Sequence, residues 1–306
     1  MNTNYLLSCV MSGLVIFSLT HPLHAYAYGD GMKGGKNKSG SGMESGGKKS
    51  KQMPQKTVPS MEGKDPEVIG AFLPQGANKT AMDKRGFLAT GLEPVYPQGF
   101  DCPKVTSPFA TPFRTDGSKR SARFFKGLHG GMDIAQPKGT PLLAMADGEV
   151  ILKHEGEADG IGGLGLWLRH APEETGTGKY VFVEYKHIDK LPELAVGERV
   201  KMGQVIAETG NTGTTGGHYS DEGFYHLHMT AYWSDSPAFK FSRVMIPSGG
   251  QWLDPIALLR GGPLDSHQAK DLPKQQKQVA IPFLSTDGRA YPENTKLVWP
   301  YACRPQ

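Results

Sequence analysis

His226 and His228, one residue apart in "YHLHMTAYW", bring two imidazoles to one place if the stretch is extended. Side chains of a strand alternate between faces, so His226, His228, Thr230 and Tyr232 share one side and Tyr225, Leu227, Met229, Ala231 and Trp233 the other. The second set is apolar and calls for a core. Burying it aims the imidazoles out of the packing surface, where two nitrogen ligands, or a ligand and a base, can sit side by side. A second pair, His129 and Asp133 in "HGGMD", has the i, i+4 spacing of a helix face, but Gly130 and Gly131 argue against a helix. A loop turning into a strand lets both side chains converge, and imidazole with carboxylate is a suitable ligand pair for Zn²⁺. A further histidine, His187, closes "YVFVEYKH". Alternation puts it with Val181, Val183 and Tyr185 on the less solvated face, opposite Glu184 and Lys186, and taken alone it reads as a structural residue. His267 and Asp271 repeat the four-residue spacing in "HQAKD", inside a polar spacer with no strand beside it, and are set aside.

The elements that must position these groups lie between residues 101 and 262. There, short β-branched and aromatic runs ("TPLLAMADGEVILKH", "LGLWLRHA", "GKYVFVEYKHI", "ERVKMGQVIAET", "YHLHMTAYW") are separated by glycines, the pattern of an antiparallel all-β domain. Residues 65–100 are rich in Gly and Pro without an amphipathic period and are expected to pack as an irregular N-terminal arm. Residues 263–306 form a C-terminal extension that begins with a polar spacer. Residues 28–64, for example "KGGKNKSGSGMESGGKKSKQ", hold almost nothing apolar to bury and are expected to be a disordered linker.

Residues 1–27 contain no Lys, Arg, Asp or Glu, and their apolar run from Leu6 to Leu19 is followed by Ala25-Tyr26-Ala27. That is the pattern of a signal peptide with small residues at its cleavage site, too short to span a membrane. Most of the apolar run follows Cys9 instead of preceding it, so this cysteine does not read as a lipid-attachment site. Removing this segment leaves Cys102 and Cys303, and two cysteines in an exported chain are expected to form a disulfide, tying the C-terminal extension to the start of the β domain. The charge balance, 34 basic against 30 acidic residues, suits an anionic surface such as a cell wall or phospholipid.

In chain order, "HGGMD", "YKH" and "HLH" on a β-rich exported domain resemble the zinc endopeptidases of the lysostaphin and LytM type, peptidase family M23. The flanking text is similar as well: "TSPFATPF" before the first motif, "DIAQPKGTPLLAMADGEV" after it, "VGERVKMGQVIAETGNTGTT" before the last, and "DPIALL" at the end. The resemblance runs from Thr106 to Leu259. It implies a groove floored by an antiparallel sheet of the duplicated hybrid motif type, with Zn²⁺ held by His129, Asp133 and His228. It also implies that His187 and His226 are the catalytic pair, one acting on the attacking water and one on the oxyanion, with the assignment between them open. Its substrate would be the peptide cross-links of peptidoglycan, in the periplasm or at the cell wall, with no role for nucleic acid.

The chain departs from the pattern where "GGHYSDEGFY" lengthens the loop before "HLH", which bears on substrate preference more than on chemistry. His218 in that loop is taken as a residue that could touch substrate, and His170 as a structural strand-end histidine. Three other readings stand beside the enzyme: a non-catalytic LytM-like binding or regulatory module, a zinc peptidase acting on other extracellular protein, and a lipoyl or biotinyl carrier suggested by "VGERVKMGQVI". All five site positions are retained, which favours the enzyme over the module. The carrier needs a lysine in the following turn, and "ETGNTG" has none.

Overall fold

The stretches that alternate in the sequence are strands. The computed structural model describes residues 65–155, 162–214, 224–241 and 244–306. The expectations for residues 1–27 and 28–64, and for His218, lie outside the described residues. The main sheet is built from β1 (Val105–Ser107), β2 (Met132–Ala135), β4 (Gly148–Glu155), β5 (Leu164–His170), β6 (Tyr180–Lys186), β7 (Arg199–Val200), β9 (His226–Ser234) and β12 (Gln251–Trp252). Their spatial order is β1-β2-β9-β6-β5-β4-β7, with β12 also paired to β9, and every pairing is antiparallel. A separate antiparallel ribbon joins β3 (Pro141–Leu143) to β8 (Val205–Glu208), and another joins β10 (Phe239–Phe241) to β11 (Met245–Pro247).

One face of the sheet is covered along its whole width. Ile134 of β2, Val181, Val183 and Tyr185 of β6, and Leu227, Met229 and Ala231 of β9 all enter one core, as the period-2 pattern requires. The other face is covered only in part. Tyr232 of β9, Phe182 of β6 and Trp167 of β5 pack there with Phe72, Phe87, Phe109 and Trp252, and the uncovered remainder is the floor of a cleft.

Phe72 and Phe87 come from the segment expected to be irregular, and here the structure differs. It contains two short helices, α1 (Pro66–Phe72) and α2 (Lys79–Lys84). Each is started by a capping side chain: Asp65 accepts from Glu67 N at 2.8 Å, and Asn78 accepts from Ala81 N at 2.9 Å. Helices this short show no period in a sequence and are marginal alone. They are held from outside, where Trp252 Nε1 donates to Ala71 O at 3.0 Å and the Phe72 ring stacks on Trp252 at 5.8 Å.

The C-terminal residues join the main core through Phe283, Trp299 and Tyr301, all buried. Cys102 and Cys303 form a disulfide. Beside it Arg304–Pro305 pairs with Phe100–Asp101, and Trp299 Nε1 donates to Pro103 O at 2.9 Å. Among the described residues no helix is long and apolar enough to cross a membrane.

Candidate active site

Register on three neighbouring strands assembles the site. His228 of β9 lies opposite Asp133 of β2 on one side and Lys186 of β6 on the other, and Thr230 lies opposite Glu184. His129 precedes β2 in a loop rather than a helix, fixed by backbone bonds from His129 N to Thr111 O (3.0 Å) and from Ala110 N to His129 O (2.9 Å). These residues, with His187 and His226, line a cleft of about 580 Å³. Arg114, Arg120, Lys153 and Lys186 add positive charge to its lining, and Phe72, Phe124 and Phe241 an apolar surface.

At the cleft floor three ligand-type atoms form a triangle. His129 Nε2 lies 3.1 Å from Asp133 Oδ1, His228 Nδ1 lies 2.9 Å from the same oxygen, and the two nitrogens are 3.1 Å apart. His129 Nδ1 is 3.0 Å from Pro108 O, which can only accept, so that nitrogen carries the ring proton and Nε2 presents a lone pair to the triangle. Two imidazole nitrogens and a carboxylate oxygen this close can share either a proton or a metal ion. Tetrahedral ligands at about 2.0–2.2 Å from Zn²⁺ would stand roughly 3.3–3.6 Å apart, so a small opening of the triangle accommodates the ion. His129, Asp133 and His228 are also the described group whose donor atoms are close enough to hold a metal. The other carboxylate oxygen, Asp133 Oδ2, faces Arg120 Nη2 at 3.4 Å, and the same nitrogen donates to Ser107 Oγ at 2.7 Å.

The electrostatics agree with this arrangement. Burial pushes the Asp133 carboxyl up, but the charges and hydrogen bonds of His129 and His228 override it and hold the group well below the usual carboxylate range. His228 is pushed down to about 4, mainly by burial, against the opposing pull of Asp133. Asp133 and His228 therefore sit in the forms a metal requires, carboxylate and neutral imidazole.

His187 and His226 flank the triangle. Their rings are 4.8 Å apart, and His187 is 5.7 Å from the His228 ring. His226 Nδ1 donates to Phe224 O at 3.0 Å and His187 Nδ1 to Thr212 O at 2.6 Å, which leaves each Nε2 as a lone pair. Burial, with His226 and Lys186 nearby, keeps His187 well below its ordinary pKa and therefore neutral.

The face expected for His187 is corrected. Strand alternation sends it to the core side with Val183 and Tyr185, yet it lines the cleft. The strand ends at Lys186, and His187 takes a left-handed backbone (φ 63°) that turns its ring over to the histidine side. His170 stays out of the site: it is fully buried, with Nδ1 2.7 Å from Asp147 O. His267 bonds the Asp83 carbonyl, far from the cleft in sequence and in contacts.

Residues that the strand pattern did not single out also reach the cleft. Glu184, buried at 7 % exposure, accepts from Thr230 Oγ1 at 2.7 Å, and its Oε1 lies 3.1 Å from His154 Nε2. The same His154 nitrogen is 2.9 Å from Trp167 Nε1, and a single ring nitrogen serves only one of the two at a time.

Residues 127–238 match Peptidase family M23. An uncharacterized metalloprotease of Haemophilus influenzae is 38 % identical over 106 residues, 34 % of this chain and 19 % of that protein, so the chain spans about a fifth of the relative's length. Among solved structures, LytU is 26 % identical with a TM-score of 0.37, covering 57 % of this chain and 96 % of LytU. The catalytic domain of the antimicrobial peptidase lysostaphin from Staphylococcus simulans is 23 % identical with a TM-score of 0.32, covering 50 % of this chain and 86 % of that one.

Proposed function

Because residues 127–238 match Peptidase family M23, we propose that the chain is an exported zinc endopeptidase that hydrolyses the peptide cross-links of bacterial peptidoglycan. The observation that carries the reading is the triangle of His129 Nε2, Asp133 Oδ1 and His228 Nδ1, with the His187 and His226 rings beside it. A zinc ion held by these three residues would supply Lewis-acid polarisation of the scissile carbonyl and acidify a water.

The protein's own groups do the rest. His187 and His226 each present an Nε2 lone pair to the cleft, held in that tautomer by the Thr212 and Phe224 carbonyls. Either can take the proton of the attacking water. The N–H so formed then faces the cleft as a donor to the oxyanion or to the leaving amine. Arg120 and Ser107 restrain Asp133 and His129 from behind. The arginines and lysines of the lining suit a peptide bearing free carboxylates, which stem peptides of peptidoglycan do. Export is supported by the pattern of residues 1–27, and an oxidising compartment by the disulfide.

The test is to incubate the purified protein with isolated peptidoglycan, with and without a chelator, and to identify the released fragments. New amino termini that appear only without chelator, and return on adding zinc, support the reading. Intact peptidoglycan under all conditions, with the protein still bound to it, would favour a binding module instead.

A further inference from the structure

His228 faces two opposing claims on its single ring proton. If the proton sits on Nδ1 it bonds Asp133 Oδ1 at 2.9 Å and the nitrogen cannot ligate a metal; if it sits on Nε2, Nδ1 is free to do so. On the Nε2 side lies Thr230 Oγ1, 3.3 Å away. Thr230 is two residues along the same face of β9, and its cross-strand partner on β6 is Glu184. The Thr230 hydroxyl has one proton. Glu184 Oε2 stands 2.7 Å from that hydroxyl, and a carboxylate is the stronger acceptor. With its proton committed to Glu184, the hydroxyl can only accept from His228, and that requires the proton on Nε2. Thr230 and Glu184 are 5 % and 7 % exposed, so both groups are largely shielded from bulk water.

We propose that Glu184, acting through the Thr230 hydroxyl, is a positioning residue that fixes the His228 proton on Nε2 and keeps Nδ1 as the ligand atom. The chain of contacts is His228 Nε2–H to Thr230 Oγ1, then Thr230 Oγ1–H to Glu184 Oε2. It gives a ligand histidine an outer carboxylate through one intervening hydroxyl rather than by direct contact. The second carboxylate oxygen, Oε1, lies 3.1 Å from His154 Nε2. The inference rests on the reading of His228 as a metal ligand.

The test is the zinc dissociation constant at neutral pH, measured by competition with a chromophoric chelator, beside the melting temperature of the metal-free protein. Thr230→Val should weaken zinc by about 10- to 100-fold, the usual range for an outer-shell partner, and should shrink the zinc-induced rise in melting temperature beyond what the metal-free melt loses when Glu184 is left without its donor. Thr230→Ser, which restores the hydroxyl, should recover the affinity, and Glu184→Gln should weaken it less than Thr230→Val does. In the Thr230→Val background Glu184→Gln should have no further effect, because its route to His228 is already cut. Thr230→Ala carries the same test if the valine variant does not fold. Zinc affinity unchanged in Thr230→Val, or a Glu184→Gln loss that persists in full without the hydroxyl, overturns the proposal while leaving the ligand assignment standing. Zinc bound as tightly by His228→Ala as by the native chain overturns the ligand assignment and the proposal with it.

Discussion

At Gly131 the missing Cβ is what lets His228 lie against the turn into β2. A methyl group there would sit 2.5 Å from Met229 O and 2.8 Å from His228 Cε1 and Nε2. The two glycines of "HGGMD" suggested backbone freedom, yet at Gly131 the requirement is space, since the first obstruction is a rigid backbone carbonyl. Gly131→Ala should therefore lower zinc affinity by at least about tenfold although no ligand is removed, in line with displacement of a ligand's surroundings. Chelator competition measures this, and an unchanged affinity would show that the turn has slack. Residue type and spacing marked His226 with His228 and His129 with Asp133 as pairs that could do chemistry, while a similar pair at His267 and Asp271 does not reach the cleft, so the order of motifs was needed to single them out. His187 was legible only through its resemblance to a motif, because its position depends on one positive φ that alternation cannot foresee. Glu184 was placed on the more solvated face, and its burial depends on what covers that face.

The helix α3 (Pro255–Arg260) begins at Asp254, whose side chain accepts from Ile256 N at 2.9 Å and meets the Thr90 hydroxyl. Burial pushes this carboxyl up to about 6 from its ordinary 3.8, against the two hydrogen bonds. A group with a raised folded pKa contributes its stability fully below the unfolded value and loses it as pH rises through the folded one. Asp254 should thus make the protein less stable on going from pH 4 to above 6, by about 3 kcal/mol at most. His170 acts in the opposite direction over much of the same window: burial lowers it to about 4 from 6.5, so its contribution is lost as pH falls through that range. Asp254→Asn keeps a capping oxygen and removes one titration. Its denaturant-unfolding free energy should rise more steeply with pH between 4 and 6.5 than that of the native chain. A shallower or identical slope would contradict the burial argument. Among the elements, β9 and β6 were readable because each alternates over seven or more residues. The helices α1 and α2 were not, because they are set by caps and by aromatic contacts to Trp252 far along the chain.

For the whole molecule, the antiparallel β class followed from alternation and turn glycines, whereas the way the flanks join the core did not. Trp299, Tyr301 and Phe283 reach the main core from beyond the polar spacer, and no local pattern announces so distant a destination. The Cys102–Cys303 disulfide locks that arrangement across a sequence separation of 201. Replacing both cysteines by serine should lower stability by up to about 5 kcal/mol in the chain-entropy account. Equal denaturation midpoints with and without the bond would mean the flank is held by packing alone. The central claim concerns how one cleft divides five residues into two roles, and zinc per chain by elemental analysis, measured beside peptidoglycan hydrolysis for the five alanine variants, tests it most directly. His129→Ala, Asp133→Ala and His228→Ala should lose both metal and activity, since two remaining ligands make a poor site. His187→Ala and His226→Ala should keep close to one zinc per chain while activity falls by about 10² to 10⁴. Loss of zinc from His226→Ala with its retention in His228→Ala would reverse the assignment, and full activity in all five variants would contradict the enzyme itself.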